Sequence, residues 1–255
     1  FGIVLPLNFN SPLKSHNIIN FWSRWHITLS RFIQDYIYTP IAISSTRFSM
    51  RNNLPGIPEF IICVAMPTGI AFFLAGLWHG AGWNFIIFGL INAFYLIVYN
   101  LWTFVKDYLN ISYKNNIFTS ITSQLLTFLS IVVSLVFFRS SDLSNAITYL
   151  KFLFGTNGLQ FNDIFQKGLM GANPFDGLTW LIICSVIIFL LPNTQEAIFY
   201  KIQNKFNRSN FITKKFSMIQ LRWKSNFFYL IIILSILVTS LMKIGKENEF
   251  IYFQF

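Results

Sequence analysis

Five apolar runs separated by polar stretches dominate the chain: Phe60 to Leu74, Asn84 to Val105, Ile121 to Phe138, Leu178 to Leu191 and Phe227 to Met242. A helix rises 1.5 Å per residue, so crossing about 30 Å of hydrocarbon takes about 20 residues. Only the second run reaches that length unaided; the others need their flanks or are half-spans. Trp78, Trp83, Trp102, Trp180 and Trp223 sit near run ends, where an amphipathic ring prefers the headgroup level. The pattern predicts an all-α fold, a polytopic transmembrane helical protein in which residues 60–255 supply about five membrane segments.

Residues 1–59 have a different rhythm. From Asn20, a suitable N-cap, the apolar residues Phe21, Trp22, Trp25, Leu29, Phe32, Ile33 and Tyr36 recur at helical spacing, with Ser23, Arg24, Ser30, Arg31, Gln34 and Asp35 filling the other side. This predicts an amphipathic helix on the cytoplasmic side, lying at the membrane surface or wedged between other helices and ended by Pro40. The chain opens at Phe1 in mid-pattern, which reads as a piece of a longer protein.

Composition agrees with the pattern. Of 255 residues 54% are apolar and 11% charged, and the mean hydropathy is +0.55, which excludes a disordered chain and an ordinary soluble domain. The net charge of +10 would suggest nucleic acid in a soluble protein; here it marks cytoplasmic loops instead, and no nucleic-acid partner is expected. Residues 193–226 carry Lys201, Lys205, Arg208, Lys214, Lys215, Arg222 and Lys224 against Glu196, and the opening block is basic as well. Both are read as cytoplasmic, with an even number of runs between them. That places 106–120 inside and 139–177 outside. Cys63 and Cys184 lie in apolar runs with no metal-binding spacing and are expected to be buried, inert thiols.

Three histidines can be weighed one by one. His16 lies in a polar loop with Lys14, Ser15 and Asn17 and reads as a solvated side chain. His26 borders the aromatic stripe and reads either as an interfacial histidine or as a functional one. His79 sits in Gly76-Leu77-Trp78-His79-Gly80-Ala81-Gly82-Trp83-Asn84, a small-residue turn joining two apolar runs. An ionisable group at the bilayer boundary is costly and is usually kept for function. A partly shielded imidazole is a suitable general base. No metal motif includes either embedded histidine, and no metal is expected.

At these residues a family resemblance becomes specific. Asn20-Phe21-Trp22-Ser23-Arg24-Trp25-His26-Ile27-Thr28-Leu29-Ser30-Arg31-Phe32, continuing to Pro40, resembles the signature of the membrane-bound O-acyltransferase family, above all its alginate O-acetyltransferase-like bacterial branch. Gly76-Leu77-Trp78-His79-Gly80-Ala81 followed by Trp83-Asn84-Phe85 resembles the block that holds that family's catalytic histidine. Phe137-Phe138-Arg139 and the closing Phe250-Ile251-Tyr252-Phe253-Gln254-Phe255 are similar to the same branch. The resemblance implies the C-terminal part of a single membrane domain spanning 1–255. The chain departs from the pattern at Ile41-Ala42-Ile43, where the family tends to have a Gly-Gly turn, and at Asn92, where many relatives have a histidine.

The resemblance implies transfer of an acyl group, most simply acetyl, from a thioester on the cytoplasmic side to a hydroxyl of an extracytoplasmic polysaccharide such as an alginate-like polymer or peptidoglycan. His79 is then the base and His26 a second catalytic group that orients or polarises; Trp25, Trp78 and Asn84 are candidate substrate-binding residues. The donor, acetyl-CoA or an acyl carrier, is a substrate, and no tightly bound cofactor is implied. The expected setting is the lipid bilayer of a bacterial cytoplasmic (inner) membrane, multi-pass, with the extracytoplasmic polysaccharide or a soluble periplasmic acetyltransferase as the partner. Two alternatives stand beside this: a D-alanyl transfer protein of the same family, and a non-catalytic transporter or channel subunit whose histidines line a path.

Overall fold

The computed structural model describes residues 6–111, 116–156, 174–198 and 226–242. The basic residues from Lys201 to Lys224, Asp163, Lys167, Trp223 and the closing Phe250–Phe255 motif lie outside the described residues. Among the described residues every regular element is helical, and the chain divides into two compact units, Phe1–Leu181 and Ile182–Phe255.

In the first unit a single 3-10 turn (Pro12–Lys14) leads into α1 (Ile18–Trp22), capped by the Asn17 side chain on the backbone N–H of Asn20 at 2.7 Å. The cap is therefore Asn17, and Asn20 is the third residue inside the helix, whose N–H the cap must satisfy. The single amphipathic helix expected from Asn20 is two helices, because the chain reverses at His26, which adopts φ +45°. Phe21 is buried, whereas Phe32 and Tyr36 are exposed, so the stripe does not form one face.

Beyond His26 come α2 (Ile27–Ile33), a π-turn at Gln34–Tyr38 and α3 (Thr39–Arg51). Pro40 does not end this path. A proline clashes with the carbonyl four residues back and lacks an N–H; here the wider π-turn absorbs the misfit, with Thr39 N–H bonded to Gln34, five residues back. The chain turns at Asn52–Gly56 into α4 (Ile57–Phe60), a second π-turn at Ile61–Ala65 and α5 (Met66–His79). Pro67 follows that second π-turn as Pro40 follows the first. The α3 helix packs on the second π-turn and the first π-turn packs on α5, so the two bent helices run antiparallel, wedged together.

Among the described residues three helices are long and apolar enough to span a membrane: Ile57–His79, α6 (Trp83–Tyr108) and α7 (Ile117–Arg139), of 23, 26 and 23 residues. The first and third apolar runs thus gain their missing length from their flanks. Helices α5 and α6 form a tight hairpin in which Gly76 and Gly89 face each other. A Cβ on Gly76 would lie 2.5 Å from the Phe85 carbonyl oxygen, and one on Gly89 would strike the carbonyl of Phe72. Small residues at such a crossing let two helix backbones approach closely.

Helix α8 (Leu143–Leu153) starts from the Asp142 cap and folds back along α7. Its Ala146 is fully buried against Phe88 and Phe137, and Leu153 and Phe154 reach Leu129 and Val133 at the middle of α7. The outer faces carry Leu90, Phe94, Val98, Ile121, Leu125 and Leu126 exposed. Apolar faces of that extent suit hydrocarbon, not water. The chain is an all-α polytopic membrane protein.

Helix α9 (Pro174–Leu190) ends in the second unit, where α10 (Thr194–Ile198) and α11 (Phe227–Leu241) follow. Asn193 and Glu196 cap each other's backbone N–H groups at 2.8 and 2.9 Å, and α11 begins on the Asn226 cap. Neither cysteine is buried as expected: Cys63 is half-buried and Cys184 exposed, because both sit on helix faces suited to lipid.

Candidate active site

His79 is the last residue of α5. The helix stops there because Gly80 takes φ +155° and ψ 162°, a region open essentially to glycine alone. Two residues later Gly82 caps α6, so the imidazole stands at the rim of a helical hairpin. It is half-buried in a wall of aromatic edges: its ring centroid lies 5.0 Å from that of Phe138, 6.0 Å from Phe88 and 4.8 Å from Trp78, all close to perpendicular. Phe138 in turn packs on Phe85 and Phe88 at 5.7 and 5.0 Å. No hydrogen bond to a described residue occupies the His79 ring nitrogens. Its lone pair is thus available to a substrate proton.

His26 comes to this rim from another part of the chain. Segment 16–26 climbs along α7: His16 Nδ1 lies 3.2 Å from the Ser120 carbonyl, Ile18 and Phe21 pack on Ile131, and Trp22 joins the Phe88–Phe137 cluster. His16 is thus engaged, not merely solvated. At the top, residues 8–10 clamp the reversal from both sides. Asn10 N–H donates to the Arg24 carbonyl and the Arg24 guanidinium donates back to the Asn10 carbonyl, each at 3.0 Å. Ile27 N–H donates to the Asn8 carbonyl at 2.9 Å, and the Asn8 side chain accepts from Thr28 N–H and Oγ1. Asn8 therefore caps α2 from a distance, because His26, at the N-cap position, makes no side-chain cap bond.

The left-handed conformation of His26 costs about 1 to 2 kcal/mol for a residue with a Cβ, and the clamp offsets it. Phe9, between the two clamping residues, lays its ring 5.1 Å from Trp25 and 5.9 Å from His26. The two imidazoles, 53 residues apart in number, are brought within electrostatic reach of each other.

The other three predicted residues are placed differently. Trp25 is half-buried, stacked on Phe21 at 5.7 Å, and belongs to the wall below His26. Trp78 is 65% exposed beside His79, free to meet a ligand or the headgroup layer. Asn84 is buried and donates its amide to the Ser140 carbonyl at 2.9 Å, tying the start of α6 to the end of α7. Sequence reasoning passed over Arg24, which is buried and holds the clamp, and over Asn8; only the structure shows that these groups fix His26. Their signal is slight: an arginine on the polar side of an aromatic stripe and an asparagine ahead of it.

Comparison with known proteins gives a consistent set. The chain is 37% identical over 211 residues to a peptidoglycan O-acetyltransferase of Helicobacter pylori, covering 77% of this chain and 36% of that protein. It is 26% identical over 258 residues to a protein of Pseudomonas putida named "Probable alginate O-acetylase AlgI", covering 97% and 46%. It is also 32% identical over 130 residues to a teichoic acid D-alanyltransferase of Bacillus subtilis, covering 50% and 30%. The chain thus spans less than half the length of each of these relatives. No family model matches it.

Proposed function

We propose that this chain, which belongs to the membrane-bound O-acyltransferase family, carries the acyl-transfer centre of a multi-pass enzyme of the bacterial cytoplasmic membrane. The observation that carries the proposal is the His79 rim: an imidazole whose ring nitrogens take no hydrogen bond from the described residues, at the end of a membrane-spanning helix, with His26 within electrostatic reach. The acceptor is a hydroxyl of an extracytoplasmic polysaccharide and the donor an acyl thioester, acetyl-CoA or an acyl carrier, arriving from the cytoplasmic side.

In the reaction the hydroxyl oxygen attacks the thioester carbonyl as His79 takes its proton. The carbon–sulfur bond then breaks, and the proton passes to the departing thiolate. Base assistance of this kind is worth about 10² to 10⁴ in rate. His26 orients the reactants or polarises the carbonyl, and Trp25 and Trp78 form parts of the wall. The aromatic edges around His79 exclude water that would otherwise hydrolyse the donor. A soluble periplasmic acetyltransferase would complete delivery where the polymer is distant.

Acetyl is favoured over D-alanyl because the O-acetylating relatives match 77% and 97% of the chain and the D-alanyl relative 50%. The test is His79→Ala in cells that depend on this protein for acetylation. O-acetyl content of the polymer is expected to fall at least 100-fold at unchanged abundance in the membrane. Normal acetylation at normal abundance would overturn the assignment.

A further inference from the structure

Four buried side-chain polar atoms have no hydrogen-bond partner among the described residues: Ser15 Oγ, Trp22 Nε1, His26 Nδ1 and Asn92 Oδ1. Two belong to the segment that climbs to His26, and Ser15 immediately precedes that segment. Asn92 lies on the face of α6 against which that segment packs. Trp22 meets Phe72 of α5 at 5.1 Å and packs on the cluster of Phe88, while the neighbouring Phe21 and Ile18 pack with Tyr95, Leu96 and Tyr99 further along α6. Asn92 lies on the same stripe, one turn from Phe88 and one from Leu96, and is 0% exposed. Its amide orientation is fixed, because Nδ2 donates to the Phe88 carbonyl at 2.8 Å and a carbonyl can only accept. What remains is an indole that can only donate and an amide oxygen that can only accept, in one buried interface.

We propose that one buried water molecule joins Trp22 Nε1 to Asn92 Oδ1, accepting from the indole and donating to the amide, and that this bridge pins α1 and so positions His26 beneath the His79 rim. Buried polar groups are satisfied in this way when a small polar gap offers two or more partners. Trp22 and Asn92 are positioning residues: neither is assigned contact with substrate. The effect on His26 rests on the acyl-transfer reading; the bridge itself does not.

A double-mutant cycle tests both parts. Trp22→Phe and Asn92→Leu each leave one polar group buried and alone, whereas the double variant leaves none; removing both partners is far less harmful than removing one. Each single variant is expected to lower kcat about tenfold at nearly unchanged KM and to lower the thermal unfolding midpoint of the purified protein in detergent. The double variant is expected to recover kcat to within about threefold of the parent, and its midpoint in parallel. Additive losses, or a double variant that fails to reach the membrane, would overturn the bridge. Coupled midpoints with kcat unaffected in every variant would overturn the positioning of His26 while leaving the bridge intact. Because the midpoints need no substrate, failure of the acyl-transfer reading would be told apart from failure of the bridge.

Discussion

Asn84 donates its side-chain amide to the backbone carbonyl of Ser140 across 56 residues, at 2.9 Å and with both residues buried. The bond joins the first turn of α6 to the last of α7, next to the Phe138 edge that faces His79. Substituting Asn84 with Ala leaves that carbonyl unpaired, at a cost of about 1 to 3 kcal/mol. Both the unfolding midpoint in detergent and acyl transfer should fall. If transfer falls while the midpoint stays, Asn84 acts on substrate and the tie is secondary.

The hairpin crossing makes a second prediction. Gly89→Ala places a methyl group against the Phe72 carbonyl, so α5 and α6 must separate and His79 must move with α5. Overpacking of this kind costs about 1 to 3 kcal/mol. Membrane abundance and thermal stability should drop, whereas Gly69→Ala, where a Cβ meets nothing within 4 Å, should change neither.

Sidedness follows from charge and from the antiparallel helices together. Asn110, past the end of α6, and Ser144, in the first turn of α8, lie at opposite ends of the bundle and are both exposed. A cysteine at Asn110 should react only with membrane-permeant reagents, and one at Ser144 should react from outside. The reverse pattern in intact cells would invert the topology.

Asp142 makes the start of α8 sensitive to pH. The backbone N–H of Asn145, at 2.8 Å, holds its carboxyl below the usual carboxylate range; desolvation works the other way, and the Ser141 hydroxyl adds to the lowering. A carboxyl whose folded value is depressed stabilises the fold above its unfolded value, and the contribution is lost as pH falls through the folded value. The midpoint should therefore decline as pH falls below about 4. Asp142→Asn, which keeps the cap, should remove that part of the decline.

The apolar runs and the His79 turn were legible in the sequence because both depend on local composition: hydrocarbon demands long apolar runs, and the Gly80 conformation demands glycine. The pattern from Asn20 misplaces the helix because Asn17, three residues earlier, is an equally good cap, and because nothing local announces that His26 reverses the chain. That reversal is imposed by Asn8 and Asn10, through bonds of long sequence separation. Pro40 reads as a stop under the rule for α-helical register, which the π-turn before it evades. The role of Asn84 was ambiguous in sequence because the same amide can hold a ligand or a backbone carbonyl. Burial against Ser140 appears only once α6 and α7 are folded together.

The paired π-turns have an evolutionary consequence. Each holds one residue more than the α-turn it replaces, so each is a place where a helix can gain or lose a residue while its two ends stay put. Relatives of this chain that differ by a single insertion or deletion should carry it at 34–38 or 61–65, with the following proline gained or lost alongside. Within Trp83–Tyr108 the same change would turn everything downstream by about 100° and swing Asn92 out of line with Phe88, so that helix should align without gaps.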